Sequence, residues 1–254
     1  MEQITSLQNE YIKQLNKLKT AAGRKKAGQF IIEGKKLCEE ALQSGQKILK
    51  CLVTDAEKEN PLLRKLEQNK IILINTAIAG KLTDMDTCPG IFMVIEIPAP
   101  ALEQAPPFIL ALDHLSDPAN LGAVLRSAEA FGVKQVYLSN GSVDLYSLKV
   151  LRGAMGSAFR IPVLRGDLAE LIEKRKQDGY LIFGAGLNRS FQQLPDIRFD
   201  QPTVVVIGNE ANGISPEIMA LCDHGLFIPM QGENESLNAA VAASIILWEQ
   251  SKWN

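Results

Sequence analysis

Three short polar stretches from residue 113 onward carry residue types able to bind or orient a charged ligand. The first is the loop Asp113–Asn120, followed by a helical pattern from Leu121 to Phe131. Asn120 is placed to cap that helix and to leave its first amide groups facing an anion. Arg126 sits among Leu121, Val124, Leu125 and Ala128, on a helix that must pack against a sheet. Its guanidinium either snorkels to an edge or reaches a phosphate or carboxylate, and the spacing leaves both readings open. The second stretch, Gly208–Ile214, ends the apolar run Thr203–Ile207 in a Gly-flanked acidic turn. Gly208 and Gly213 permit sharp turns and close approach of a ligand. Glu210 lies past the carboxyl end of a strand, where α/β proteins place ligands. The third stretch, Ile228–Asn238, is a polar, Gly-containing loop that enters a helix with Ser236 as its expected N-cap. From Ala239 to Leu247 only Ser244 is polar, so that helix is expected to be buried, in a core or against another subunit.

Other chemistries find less support. His114 and His224 are the only histidines and have no carboxylate or cysteine at metal-ligand spacing, which argues against a zinc site or a Ser-His-Asp hydrolase. Cys38, Cys51, Cys88 and Cys222 form no C-x-x-C pair and read as free thiols of a reducing compartment. Gly184-Ala185-Gly186 follows a strand, but the third glycine of a dinucleotide fingerprint is missing and Pro195 comes soon after. It reads as a turn. No G-x-S-x-G and no phosphate-loop motif occurs.

The elements that must position these stretches fall into two groups. Residues 1–97 read as a small α/β unit. Ile4, Leu7, Tyr11, Ile12, Leu15 and Leu18 follow the spacing of one amphipathic helix. Lys13, Lys17, Lys19, Arg24, Lys25 and Lys26 follow on its other face and in the next turn, which suits either a phosphate-tracking patch or a solvated helix. Gln29–Glu33, Ile48–Val53, Ile71–Ile74 and Ile91–Ile97 read as strands, with helices at Lys35–Gln43 and Pro61–Gln68. Residues 98–107 hold four prolines and form a semi-rigid linker. Residues 108–254 form the second domain, in which Phe108–Leu112, Val133–Ser139, Ile161–Leu164, Tyr180–Phe183, Thr203–Ile207 and Leu226–Ile228 read as a mainly parallel sheet.

At 254 residues, 46% hydrophobic and 22% charged, the chain is ordinary globular material with a net charge of -2. Its N-terminus is polar and no run approaches the roughly 18 apolar residues of a membrane span, so a cytoplasmic location is expected.

Taken together, the three stretches resemble the SpoU (TrmH) family of RNA 2'-O-ribose methyltransferases, within the SPOUT superfamily. Asp117-Pro118-Ala119-Asn120-Leu121-Gly122 with Arg126 and Ala128 is similar to the family's D-P-x-N-x-G-x-x-x-R-x-A. Gly208-Asn209-Glu210-Ala211-Asn212-Gly213-Ile214 is similar to its G-x-E-x-x-G-[LI]. Ile228-Pro229-Met230-Gln231-Gly232 with Ser236-Leu237-Asn238 and Val241-Ala242 is similar to its third motif, although Ala239-Ala240 stands where members often carry Val-Ser. Residues around Phe30-Ile31-Ile32-Glu33-Gly34 resemble the ribosomal-protein-like substrate-binding domain that precedes the catalytic domain in many members.

The resemblance implies a SPOUT-type parallel sheet with a deep C-terminal trefoil knot, a homodimer, S-adenosylmethionine as cofactor and RNA as partner, ribosomal RNA being favoured over transfer RNA. No metal is implied. It implies Arg126 as the principal catalytic residue, with Asn120, Glu210, Ser236 and Asn238 orienting the ribose and the loops. Gly208, Ile228 and Leu237 are implied to line the cofactor pocket, with Met230 and Gly232 beside it. Lys13, Arg24, Lys25 and Lys26 are the expected RNA-binding residues of the first domain.

Overall fold

The long apolar runs become the strands of two sheets in this computed structural model, which describes residues 2–99, 104–232 and 236–253. Part of the linker, 100–103, and part of the third stretch, 233–235, lie outside the described residues. The chain divides into two compact units, one of residues 1–99 with 144–159, the other of residues 100–143 with 160–254.

The first unit contains β1 (Glu2–Ile4), α1 (Glu10–Lys17), α2 (Ala21–Ala27), β2 (Gln29–Glu33), α3 (Lys35–Gln43), β3 (Ile48–Val53), β4 (Ile71–Ile74), α4 (Thr76–Leu82) and β5 (Ile91–Glu96). Its sheet has the order β1-β4-β3-β5-β2, with β5 antiparallel to both of its neighbours. The expected first helix is shorter than its apolar spacing suggests. The Asn9 side chain caps α1 by accepting from the amides of Tyr11 and Ile12, and Ile4 instead pairs in parallel with Ile74. Leu7, between them, is exposed. Pro61–Lys65 is a short 3-10 turn rather than an α-helix.

In the second unit, β6 (Phe108–Leu112) leads to α5 (Pro118–Ala130) and β7 (Val136–Ser139). The chain then contributes residues 144–159, with α6 (Leu148–Ala154), to the first unit. Tyr146 stacks on Phe30 at 4.6 Å, and Arg152 donates to the buried Glu33 carboxylate at 2.7 Å. The chain returns through β8 (Val163–Gly166), α7 (Leu168–Gln177), β9 (Leu181–Ala185), β10 (Gln192–Gln193), β11 (Thr203–Ile207), α8 (Pro216–Leu221), β12 (His224–Phe227) and α9 (Ala239–Ser251). These strands form one seven-stranded sheet in the order β10-β12-β9-β11-β6-β7-β8, and every pairing in it is parallel. β6 and β11 are buried at every position, as continuous apolar runs require when both faces of a parallel sheet are covered.

Two helix starts differ from the sequence expectation. Pro118 takes the first helical position of α5, so Asp117 is the cap and Asn120 falls inside the first turn. Asn238, not Ser236, caps α9. α9 packs on α5, where the hydroxyls of Ser127 and Ser244 meet at 2.8 Å and Trp248 packs edge-on to Phe131.

Candidate active site

Leu112 and Ile207 are register partners at the ends of β6 and β11, so the loops that follow them emerge side by side. The backbone then turns sharply at Gly208. A Cβ there would stand 2.1 Å from the carbonyl carbon of Gly213 and the amide of Ile214, so no side chain fits. Asn209 and Gly213 exchange two backbone hydrogen bonds of 2.9 Å, with Gly213 at φ +69°. The Asn209 side chain closes the turn by accepting from the amides of Ala211 (3.0 Å) and Asn212 (3.1 Å). Glu210 is thereby held at the rim.

Its carboxylate gathers the first stretch. One oxygen accepts from the amide and hydroxyl of Ser116 at 3.2 and 2.9 Å, and the other from the Asp117 amide at 3.0 Å and Asn120 Nδ2 at 2.9 Å. Among the described residues no cation takes part. Partial burial pushes this carboxyl up, but the Asn120 side chain and the backbone donors of Glu210, Asp117 and Ser116 outweigh it and hold it down at about 2. Asn120, itself buried, then uses its Oδ1 to accept from Asn238 Nδ2 at 2.9 Å. Asn238 Oδ1 in turn accepts from the amides of Ala240 and Val241 and starts α9. One relay, Glu210–Asn120–Asn238, therefore ties together all three polar stretches.

The remaining expected residues lie outside this relay. Arg126 is exposed on α5 and has no hydrogen-bond or ion-pair partner among the described residues, which leaves its guanidinium free for an anion. Ser236 is exposed and likewise unpartnered. Ile228, Met230 and Leu237 are half-buried and Gly232 is exposed. None of the four makes a backbone hydrogen bond among the described residues. A half-buried segment with unused amides and carbonyls suits the edge of a purine, which offers both donors and acceptors.

Several positioning residues were not singled out by their sequence. Asp113, 1% exposed, sits directly after β6, where it accepts from the Ser215 amide at 2.8 Å and meets His114 Nδ1 at 2.6 Å. Asp113 is a carboxylate partner that metal-ligand spacing does not register, because it is adjacent to His114 in the chain. Ser139 and Ser142 hold the amides of His114 and Leu115. A charge placed one residue past a buried strand is the signal that would have marked Asp113.

In the first unit, Arg24 does not belong with the exposed lysines. It is 6% exposed, ion-paired to Asp144 and bonded to the Leu18 carbonyl at 2.7 Å. Its neighbours Lys25 and Lys26 are exposed, and Lys13 pairs with Glu10 at 2.7 Å on the surface.

Known proteins place this geometry in a family. The SpoU rRNA Methylase family model matches residues 107–248, and the MRM3-like substrate binding domain matches residues 9–93. The chain is 34% identical over 251 residues to the 23S rRNA (guanosine(2553)-2'-O)-methyltransferase RlmP of Bacillus subtilis, covering 98% of each. It is 31% identical over 240 residues to the 23S rRNA (uridine(2479)-2'-O)-methyltransferase of Streptomyces viridochromogenes, covering 89% of this chain and 83% of that one. Among solved structures, the AdoMet-bound rRNA methyltransferase of Sinorhizobium meliloti superposes with a TM-score of 0.87 at 27% identity, covering 99% of this chain and 97% of that one. The chain belongs to the SpoU rRNA methylase family.

Proposed function

We propose that the chain methylates a ribose 2'-hydroxyl in structured RNA, with 23S ribosomal RNA as the target and S-adenosylmethionine as the methyl donor. The observation that carries this reading is the Glu210–Asn120–Asn238 relay, which draws three polar loops to one edge of a parallel sheet. Two relatives named for 2'-O-methylation of 23S rRNA and an AdoMet-bound neighbour support it. So does the match of residues 9–93 to a substrate-binding domain, which favours ribosomal RNA over transfer RNA.

When bound, the sulfonium of the cofactor supplies an electrophilic methyl group. The chain's own work is to hold a weakly acidic 2'-hydroxyl in line with it, at about 3–3.5 Å, and to help it lose a proton. Backbone groups at Gly208, Ile228 and Leu237 hold the cofactor, with Met230 and Gly232 beside it. Asn120, Glu210, Ser236 and Asn238 orient the ribose and the loops. Arg126 is the catalytic cation. A guanidinium is a poor proton acceptor, so anchoring the target phosphate and stabilising negative charge are its natural roles, ahead of literal proton abstraction. Lys13, Lys25 and Lys26 track the RNA backbone. The family's trefoil knot and a cytoplasmic location belong to the same reading. Among the described residues no helix is long and apolar enough to cross a membrane.

A homodimer completes the proposal. Val241 and Trp248 of α9 are 47% and 56% exposed and line, with Ala123, Ser244 and Ile245, an apolar groove between α5 and α9. A second copy covering that groove removes an otherwise unusual wet apolar surface. Sedimentation that returned a monomer at working concentrations would count against it.

The decisive experiment is transfer of a labelled methyl group to 23S, 16S and transfer RNA transcripts, with the modified nucleotide mapped. Arg126→Ala is expected to lower transfer by about 100-fold or more while binding S-adenosylmethionine normally. Full activity of that variant overturns the catalytic assignment.

A further inference from the structure

We propose that His114 is a stacking platform for an unpaired base of the substrate RNA beside the target ribose, an inference that rests on the RNA reading above. The imidazole is held at two points. Its Nδ1 meets the buried Asp113 carboxylate at 2.6 Å, and the other oxygen of that carboxylate accepts from the Ser215 amide at 2.8 Å. The ring lies on Gly141, where an added Cβ would stand 2.2 Å from the imidazole Cδ2 and 2.5 Å from Nε2. The backbone of His114 is clamped too. Its amide donates to Ser139 Oγ at 2.8 Å and its carbonyl accepts from Asn209 Nδ2 at 2.8 Å.

This immobilisation has no evident return in stability. The side chain is 58% exposed, so the ring buries little apolar surface. His114 also sits at φ +52°, in the left-handed region that non-glycine residues seldom occupy. Unfavourable backbone held in place by surrounding structure concentrates at ligand sites. A rigid aromatic ring, backed by glycine along its Cδ2–Nε2 side and more than half exposed, offers a surface on which a flat base can lie.

Its place in the fold fits that use. His114 stands at the C-terminal end of β6, two residues before Ser116 and on the loop that carries the Glu210 contacts. The neighbouring loop 140–143 is gathered by Arg165, which donates to the carbonyls of Asn140 (2.8 Å), Val143 (3.2 Å) and Ser142. That cation stands at the same rim, where an RNA phosphate can meet it. Sequence-tolerant recognition of unpaired RNA depends on this combination of an aromatic face and a basic neighbour.

The test uses the full chain, S-adenosylmethionine and an unmodified 23S rRNA transcript. Asparagine tolerates a left-handed backbone, so His114→Asn removes the ring with little strain. We expect KM for the transcript to rise roughly tenfold, with kcat within about twofold and cofactor affinity unchanged. His114→Phe restores a flat ring without the nitrogens and should recover most of the loss. Gly141→Ala, which forces the ring off its seat, should reproduce it even if His114→Asn folds poorly. An unchanged KM in both His114→Asn and Gly141→Ala overturns the proposal. So does a fall in kcat at constant KM, which would make the imidazole a proton acceptor, or a His114→Phe variant as weak as His114→Asn. Should the wild-type chain neither bind nor methylate any of the 23S, 16S and transfer RNA transcripts, the RNA reading itself fails and this inference fails with it.

Discussion

Glu33 and Glu210 are both carboxylates at or just beyond the end of an apolar strand, yet the two units hold them in opposite ways. Glu33 is 3% exposed and has a cation of its own. Arg152 donates to one oxygen at 2.7 Å and the Thr83 hydroxyl to the other at 2.5 Å. Glu210 is exposed and is held by neutral donors, from the neighbouring loop and from Asn209 beside it. In the first arrangement the charge is cancelled where it lies, and what it fixes is the attachment of residues 144–159 to the first unit. In the second the negative charge survives, and what it fixes is the orientation of Asn120 and, through it, Asn238. A cancelled charge holds a fold together, whereas an uncancelled one aligns the groups around it.

That contrast is testable first on stability, where the largest effect is expected. Glu33→Ala leaves the Arg152 guanidinium facing the hole left by its partner. Breaking a buried pair from one side costs about 3 kcal/mol, the low end of the usual range, since Arg152 keeps some contact with water. Urea denaturation of the full chain should show it as a lower midpoint for the first unit, with cofactor affinity of the folded protein unchanged. If Glu33→Ala is as stable as the parent, the pair does not anchor residues 144–159.

Glu210→Gln should show the larger loss in function, with a loss of stability confined to pH above the carboxylate's titration range. The amide presents one oxygen and one NH2 where the loop needs two acceptors, so either the Ser116 side or the Asn120 side is left facing a donor. Misorienting Asn120 and Asn238 is expected to lower methyl transfer by about 100-fold. The pH dependence carries a second signature. The folded-state carboxyl is held down at about 2, below its ordinary value of 4.5, so its contribution is complete above the ordinary carboxylate range. It is lost progressively as pH falls from about 4.5 through about 2. Thermal midpoints of parent and Glu210→Gln measured across that window should converge toward its acid end. Parallel curves would mean that the hydrogen bonds to Glu210 are no stronger than those to water.

These two carboxylates also mark how far the sequence could be read. The central strands Phe108–Leu112 and Thr203–Ile207 were legible to the residue, because a buried parallel strand is a continuous apolar run with no competing signal. The three polar stretches were legible as a set, because turn glycines and polar residues beyond strand ends are local features. The partners were not. Nothing near Phe30–Gly34 announces that Phe30 will stack on Tyr146 and Glu33 will meet Arg152, more than a hundred positions later. Arg24 misled for the same reason. It lies in a run with Lys25 and Lys26, and only the distant Asp144 removes it from the surface. The caps failed locally instead. Asn120 and Ser236 are good cap residues by type, but Pro118 started α5 earlier, and Asn238 was free to close α9 while also reaching Asn120.

The smallest expected effect concerns the lysines that remain once Arg24 is set aside. Lys25 and Lys26 are exposed on the short helix α2, whose other basic residue is locked inward. If they contact RNA phosphates, each releases counterions on binding, and the slope of log affinity against log salt should flatten by a little under one per lysine. The double variant Lys25→Gln, Lys26→Gln is therefore expected to bind the 23S transcript only modestly less well at low salt, with the difference vanishing as salt rises. Cofactor affinity and kcat at saturating RNA should stay as they are. Arg24→Gln makes the sharper control. It removes the same formal charge, but from a buried ion pair, so it should lower stability and leave the salt slope alone. A slope that changed for Arg24→Gln and not for the lysines would reverse the assignment of which charges face the RNA.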